Sequence, residues 1–231
     1  GLGGVIGVIL AVFVFSIIEH KVREIVPASL DLFIVPFITV LVGGIITVLI
    51  VMPVAAGIMK AMTWLLVDVA LTKGGVIGGF VLSASFLPLV MLGIHQGLTP
   101  IHAQLISDVG YTVLLPILAM AGAGQVGSAI AVYMKTKDTS LRKTISAGLP
   151  IGFLGIGEPL IYGVSLPLGR PFITACLGAG FGGAYLALIG NVGANAMGVS
   201  GILLAPLIAD GKALHFIIAL VLSYVAGAVL T

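Results

Sequence analysis

Charge is what this sequence most lacks. Only 8 % of its 231 residues are Asp, Glu, Lys or Arg, against about a quarter in a soluble domain. That is too few to clothe a water-facing surface, so lipid must surround much of the chain. No charge falls between Lys143 and Glu158, nor between Arg170 and Asp210. A bilayer crossing takes roughly 20 apolar residues, so each gap holds at least part of one. The net charge of +2 is too small for a nucleic-acid-binding surface, and no nucleic-acid partner is expected. Cysteine is nearly absent too. The one thiol, Cys176, lies in the apolar run 173–180, which excludes a disulfide framework and a CxxC metal site. No P-loop and no HExxH zinc pair appears, and no serine–histidine or paired-acid constellation stands out. Neither a metal nor a cofactor is expected.

What is present points the same way. Hydrophobic residues make up 60 % of the chain and the mean hydropathy is +1.30. Glycine supplies 33 residues, well above its usual share of about 7 %. In a membrane protein this implies close helix contacts, broken helices and re-entrant segments. The expected class is therefore all-α and polytopic, with broken helices and re-entrant hairpins.

The apolar pattern predicts the end of a span over 3–18. A helix lying in the interface plane follows over 19–30, with Val22, Ile25 and Val26 on one face. Residues 32–52 form the clearest span. Residues 57–71, carrying Lys60 and Asp68, form a tilted or interfacial helix. Residues 74–94 form a second strong span, followed by a polar stretch over 95–110. Residues 111–133 are apolar again. Lys135, Lys137, Arg142 and Lys143 make the densest basic cluster, which the positive-inside rule puts in the cytoplasm. Residues 145–168 are interrupted by Pro150, Pro159 and Pro167. Residues 173–189 suit one more span, 191–206 are too rich in glycine for a straight helix, and 216–230 form a last span. Six to eight segments are embedded in all.

One carboxylate stands out. Glu158 sits between Gly157 and Pro159 in the otherwise uncharged run Gly155-Ile156-Gly157-Glu158-Pro159-Leu160-Ile161-Tyr162-Gly163. Burying such a group costs about 2.5–3.5 kcal/mol on insertion scales. The flanking glycine and proline predict unwound backbone, which membrane proteins tolerate where it lines a cavity. A carboxylate beside free peptide groups can accept from adjacent hydroxyls of a polyhydroxylated ligand. The competing readings are an ion pair with Arg170 and a loop acid at the water interface. His95 follows a span and can face a cavity mouth; His102 has the same chemistry in a weaker setting. Gln96 and Gln104 can add hydrogen bonds. Arg170 can pair with an acidic ligand or snorkel to the interface. Asn191 and Asn195 can cap broken helices or touch ligand.

These residues resemble the enzyme IIC permeases of the glucose superfamily of the bacterial phosphotransferase system (PTS). The family's G-[IV]-[TG]-E-P motif is matched by Gly155–Pro159. The run Leu160–Pro167 resembles the branch that handles sucrose, trehalose, β-glucosides and N-acetylmuramic acid. Gly157, in place of the commoner threonine, together with 93–100 and 115–127, looks most like the N-acetylmuramic acid branch. The resemblance implies a multi-pass inner-membrane permease and substrate-binding roles for Glu158 and His95. Gln96, His102, Arg170 and Asn195 complete the expected substrate-binding set. A phosphocysteine on an EIIB domain, fused or separate, then phosphorylates the sugar. Glu158 is in addition expected to have a catalytic role, taking the proton from the sugar hydroxyl. Cys176, in an apolar run, is not the phosphocarrier. Membrane lipids and a homodimeric partner are implied as well. The chain starts at Gly1 and ends inside an apolar run, so residues 1–231 are expected to be a fragment of one permease domain, lacking N-terminal spans and cut within its last. From the physics of broken helices and an embedded acid alone, an ion-coupled secondary sugar transporter fits equally well.

Overall fold

A computed structural model describes residues 4–231. Gly3, the expected start of the first apolar run, lies outside the described residues. Helices account for the architecture, and no strand forms among the described residues, as the all-α class requires. The chain divides into two compact units, Gly1–Trp64 and Leu65–Thr231.

The first unit holds α1 (Gly4–Ile25), α2 (Asp31–Ile46) and α3 (Met52–Thr63). The separate interfacial helix expected over 19–30 does not form; α1 runs unbroken through Ile25. Its charges pair with one another instead of starting a new element. Arg23 donates to Glu19 at 2.8 Å and to Asp31 at 2.9 Å. Pro27, with no N–H and a preference for extended backbone before it, ends the helix. The helices α1 and α2 then pack closely, with the Phe15 ring so near Gly43 that an added Cβ would lie 2.9 Å from it.

From Asp31 the chain stays helical to Lys73, where the sequence suggested a separate element from residue 57. Two wide, π-type turns carry it, Thr47–Val51 and Trp64–Lys73. The first lies just before Pro53, whose ring would clash with the carbonyl four residues back. A wider turn at that point absorbs the clash without stopping the helix.

The second unit comprises α4 (Gly75–Met91), α5 (Thr99–Val109), α6 (Leu114–Lys135), α7 (Thr139–Phe153), α8 (Glu158–Leu160), α9 (Leu166–Leu168), α10 (Arg170–Ile189) and α11 (Ala213–Leu230). The central helix is α6, packed by α4, α7, α10 and α11. Small residues let it approach them. Gly124 stands against the backbone of Ala175 and Ala179, and Gly127 against that of Tyr224, so a Cβ at either would overlap. Lipid is as apolar as leucine, so such close packing, rather than escape from water, holds the helices together. Four helical runs are long and apolar enough to cross a membrane: Asp31–Lys73, Leu114–Lys135, Arg170–Ile189 and Ala213–Leu230.

Two features shape the site. The first is a helical hairpin. Asp138 caps α7, accepting from the backbone N–H of Ser140 at 2.8 Å and of Leu141 at 3.3 Å. The chain then turns over 154–157 and returns through α8 and α9. Leu160 packs on Gly148 and Gly152, and Gly163 on Thr144, so the arms are antiparallel. At 1.5 Å per residue, the 15-residue α7 is about 22 Å long, too short to cross a hydrocarbon core of about 30 Å. That is a re-entrant geometry. The second feature is the extended stretch 190–200. Thr112 and Ala194 exchange backbone hydrogen bonds of 2.9 Å, and Asn195 donates to the Leu207 carbonyl at 2.9 Å. The glycine-rich segment is thus pinned as extended chain, followed by a tight 3₁₀ turn over Gly201–Leu207.

Candidate functional site

The hairpin tip, the end of α4, the middle of α6 and the extended stretch meet around a cavity of about 300 Å³. That lies at the lower end of small-molecule pockets, roughly 300–1,000 Å³. Glu158, His95 and Gln96 line it, together with Gln125, Ser200 and apolar residues of α4 and α6.

The tip is built by glycines. Gly155 has φ +100, a conformation that L side chains rarely adopt, and a Cβ there would overlap the Ser200 backbone. Ser200 in turn donates its hydroxyl to the Gly155 carbonyl at 2.8 Å. The extended stretch therefore clamps the end of α7 and forces the break. Gly157 follows, and its carbonyl opens the next helical turn, accepting from Leu160 at 3.0 Å and Ile161 at 2.9 Å. Glu158 is the first residue of that turn. Its side chain is exposed and lines the cavity. It makes no ion pair with Arg170: among the described residues, ion pairs form only at Arg23.

His95 lies on a short 3₁₀ turn, Ile94–Leu98, entered through Gly93 at φ 74. Its ring stands edge-on to Phe86, with centroids 6.0 Å apart. Its Nε2 is 3.2 Å from the Gln96 amide nitrogen. With that amide donating, Nδ1 carries the proton. Nδ1 is buried and has no partner.

Gln125 was not singled out as a site residue by the sequence. It is 1 % exposed, and its Nε2 donates to the Gly157 carbonyl at 2.9 Å. A carbonyl only accepts, which fixes the amide with its NH₂ toward Gly157. The other end, Oε1, is buried without a partner. An unpaired buried acceptor costs roughly 1–3 kcal/mol. Ser200 was missed as well. The available signal for Gln125 was an amide in the middle of an uncharged apolar helix, where a polar group needs a reason.

Three expected site residues lie elsewhere. His102 is buried in α5 with Nδ1 3.1 Å from the Thr112 hydroxyl, and burial pushes its imidazole down to about 4, so it is neutral at pH 7. It braces α5 against the turn that follows. Arg170 is the exposed first residue of α10, and Asn195 is exposed with its backbone N–H given to Leu207. None of the three lines the cavity.

A second cavity of about 440 Å³ lies near the end of α10, lined by Leu71, Thr72, Tyr111, Leu186 and Asn191 among others. No charged side chain lines it.

Residues 1–179 match the protein family described as phosphotransferase system, EIIC. Among curated proteins, the "PTS system MurNAc-GlcNAc-specific EIIBC component" of Staphylococcus haemolyticus (strain JCSC1435) is 54 % identical over 236 residues, an alignment that takes in 100 % of this chain and 48 % of the relative. The protein of the same name from Staphylococcus aureus (strain USA300) is 51 % identical over 232 residues, with the same coverage. The chain thus spans about half the length of the curated relatives it matches. No solved structure matches it.

Proposed function

The chain belongs to the phosphotransferase system EIIC family, and from that premise we propose that it provides the sugar-binding part of a permease for N-acetylmuramic acid sugars. It is an integral protein of the bacterial inner membrane, with four helices able to cross. The specificity in the relatives' names, MurNAc-GlcNAc, supports a sugar of that class as substrate.

In this reading the sugar enters the cavity and two of its hydroxyls donate to the Glu158 carboxylate. His95, on the cavity wall, adds a hydrogen bond to the sugar. The bound sugar is then presented to the cytoplasm, where a phosphocysteine on an EIIB domain supplies the phosphoryl group. The relatives are named EIIBC components, which supports an EIIB domain fused to this one in the whole protein. Glu158 takes the hydroxyl proton as the oxygen attacks phosphorus. The parent protein works as a homodimer within the lipid bilayer.

One observation carries the proposal: a carboxylate on the wall of a cavity, with no ion-pair partner among the described residues. Family membership does not favour the ion-coupled alternative. The test is Glu158→Gln in the whole protein, with sugar binding and sugar phosphorylation measured separately. The amide keeps one acceptor, so binding is retained in part, while phosphorylation falls about 100-fold or more, the usual worth of a general base. Equal loss of both would leave Glu158 a binding role only.

A further inference from the structure

Gln125 is the least expected residue at the cavity, and its hydrogen bonding is unusual. Its NH₂ reaches the Gly157 carbonyl at 2.9 Å. That carbonyl already accepts from the N–H groups of Leu160 and Ile161, so the fold does not need Gln125 to satisfy it. The far end of the amide is buried with no partner. On stability grounds an apolar side chain of the same shape serves about as well, because it removes the unpaired Oε1 while the Gly157 carbonyl keeps its two backbone donors. The amide is also tightly matched to its neighbour. A Cβ on residue 157 would lie 2.6 Å from Gln125 Oε1, so any side chain at 157 would displace the amide.

Resting on the permease reading above, we propose that Gln125 is a positioning residue for Glu158, and that Gly157 is glycine because the Gln125 amide occupies the room a side chain there would take. From α6, the most buried helix of its unit, Gln125 grips the peptide unit that joins residues 157 and 158. The peptide plane on which Glu158 is mounted is thereby fixed to the rigid core instead of to the tip alone. Gln125 and Gly157 act as one element: changing either without the other disturbs where the carboxylate stands.

The test is a double-mutant cycle on sugar affinity in the whole membrane protein, titrated with N-acetylmuramic acid, N-acetylglucosamine and MurNAc–GlcNAc, with melting temperature measured in parallel. Gln125→Leu, with Gln125→Met as a second variant in case leucine packs poorly, is combined with Glu158→Gln. Positioning predicts that Gln125→Leu weakens sugar binding about tenfold, the worth of one well-aimed hydrogen bond, while the melting temperature stays level or rises. In the Glu158→Gln background the same change has little further effect. Gly157→Ser weakens binding on its own and regains part of it when paired with Gln125→Ala. A melting temperature that falls while affinity holds, or losses that simply add, would overturn the inference and make Gln125 a plain core contact. If the unaltered protein binds none of these sugars, it is the permease reading that fails, and this inference with it.

Discussion

Two cavities of the Leu65–Thr231 unit differ in the polar groups on their walls. The larger, about 440 Å³, is lined by apolar side chains with Thr72, Tyr111 and Asn191 as its polar members, and none of its lining atoms is a buried polar group without a partner. The smaller, about 300 Å³, is lined by the Glu158 carboxylate, which makes no ion pair among the described residues, and by His95, Gln96, Gln125 and Ser200. An acid is rare within a membrane protein and usually faces a cavity or pathway. The proposed sugar site is therefore the smaller cavity, where volume alone would have chosen the other.

That contrast can be broken or sharpened by substitution. The largest effect is expected at Gly155→Ala, which forces a side chain into a left-handed conformation and against the Ser200 backbone. It should destabilise the protein by about 3 kcal/mol, seen as a lower melting temperature, and abolish sugar binding by collapsing the wall of the smaller cavity. His95→Ala comes next. It removes the imidazole from the cavity wall without touching the tip, and should weaken sugar binding about tenfold with little change in melting temperature. The smallest effect belongs to a site remote from both cavities. Asp138→Ala removes the cap of α7 and should cost about 1 kcal/mol of stability while leaving sugar affinity unchanged.

Part of the smaller cavity's wall was legible in the sequence, for reasons that are local. Glu158 declared itself because a single acid between glycine and proline has no bland explanation in an uncharged run. His95 and Gln96 followed from a polar pair at the end of a span. Gln125 and Ser200 were not legible as site residues, because their roles come from contacts 32 and 45 residues away in sequence that no pattern encodes. His102 misled for the converse reason: an imidazole serving Thr112 looks in sequence like one serving a ligand. The fold was readable where apolar runs were long. It was misread at 19–30, where the Arg23 ion pairs let α1 continue, and past residue 52, where a wide turn absorbs Pro53.

The most direct measurement is a titration of labelled MurNAc–GlcNAc into the whole protein and into two variants, Glu158→Ala at the smaller cavity and Tyr111→Phe at the larger. The account predicts saturable binding that falls at least tenfold in Glu158→Ala and is unchanged in Tyr111→Phe. Undiminished binding in Glu158→Ala, or loss confined to Tyr111→Phe, would contradict it.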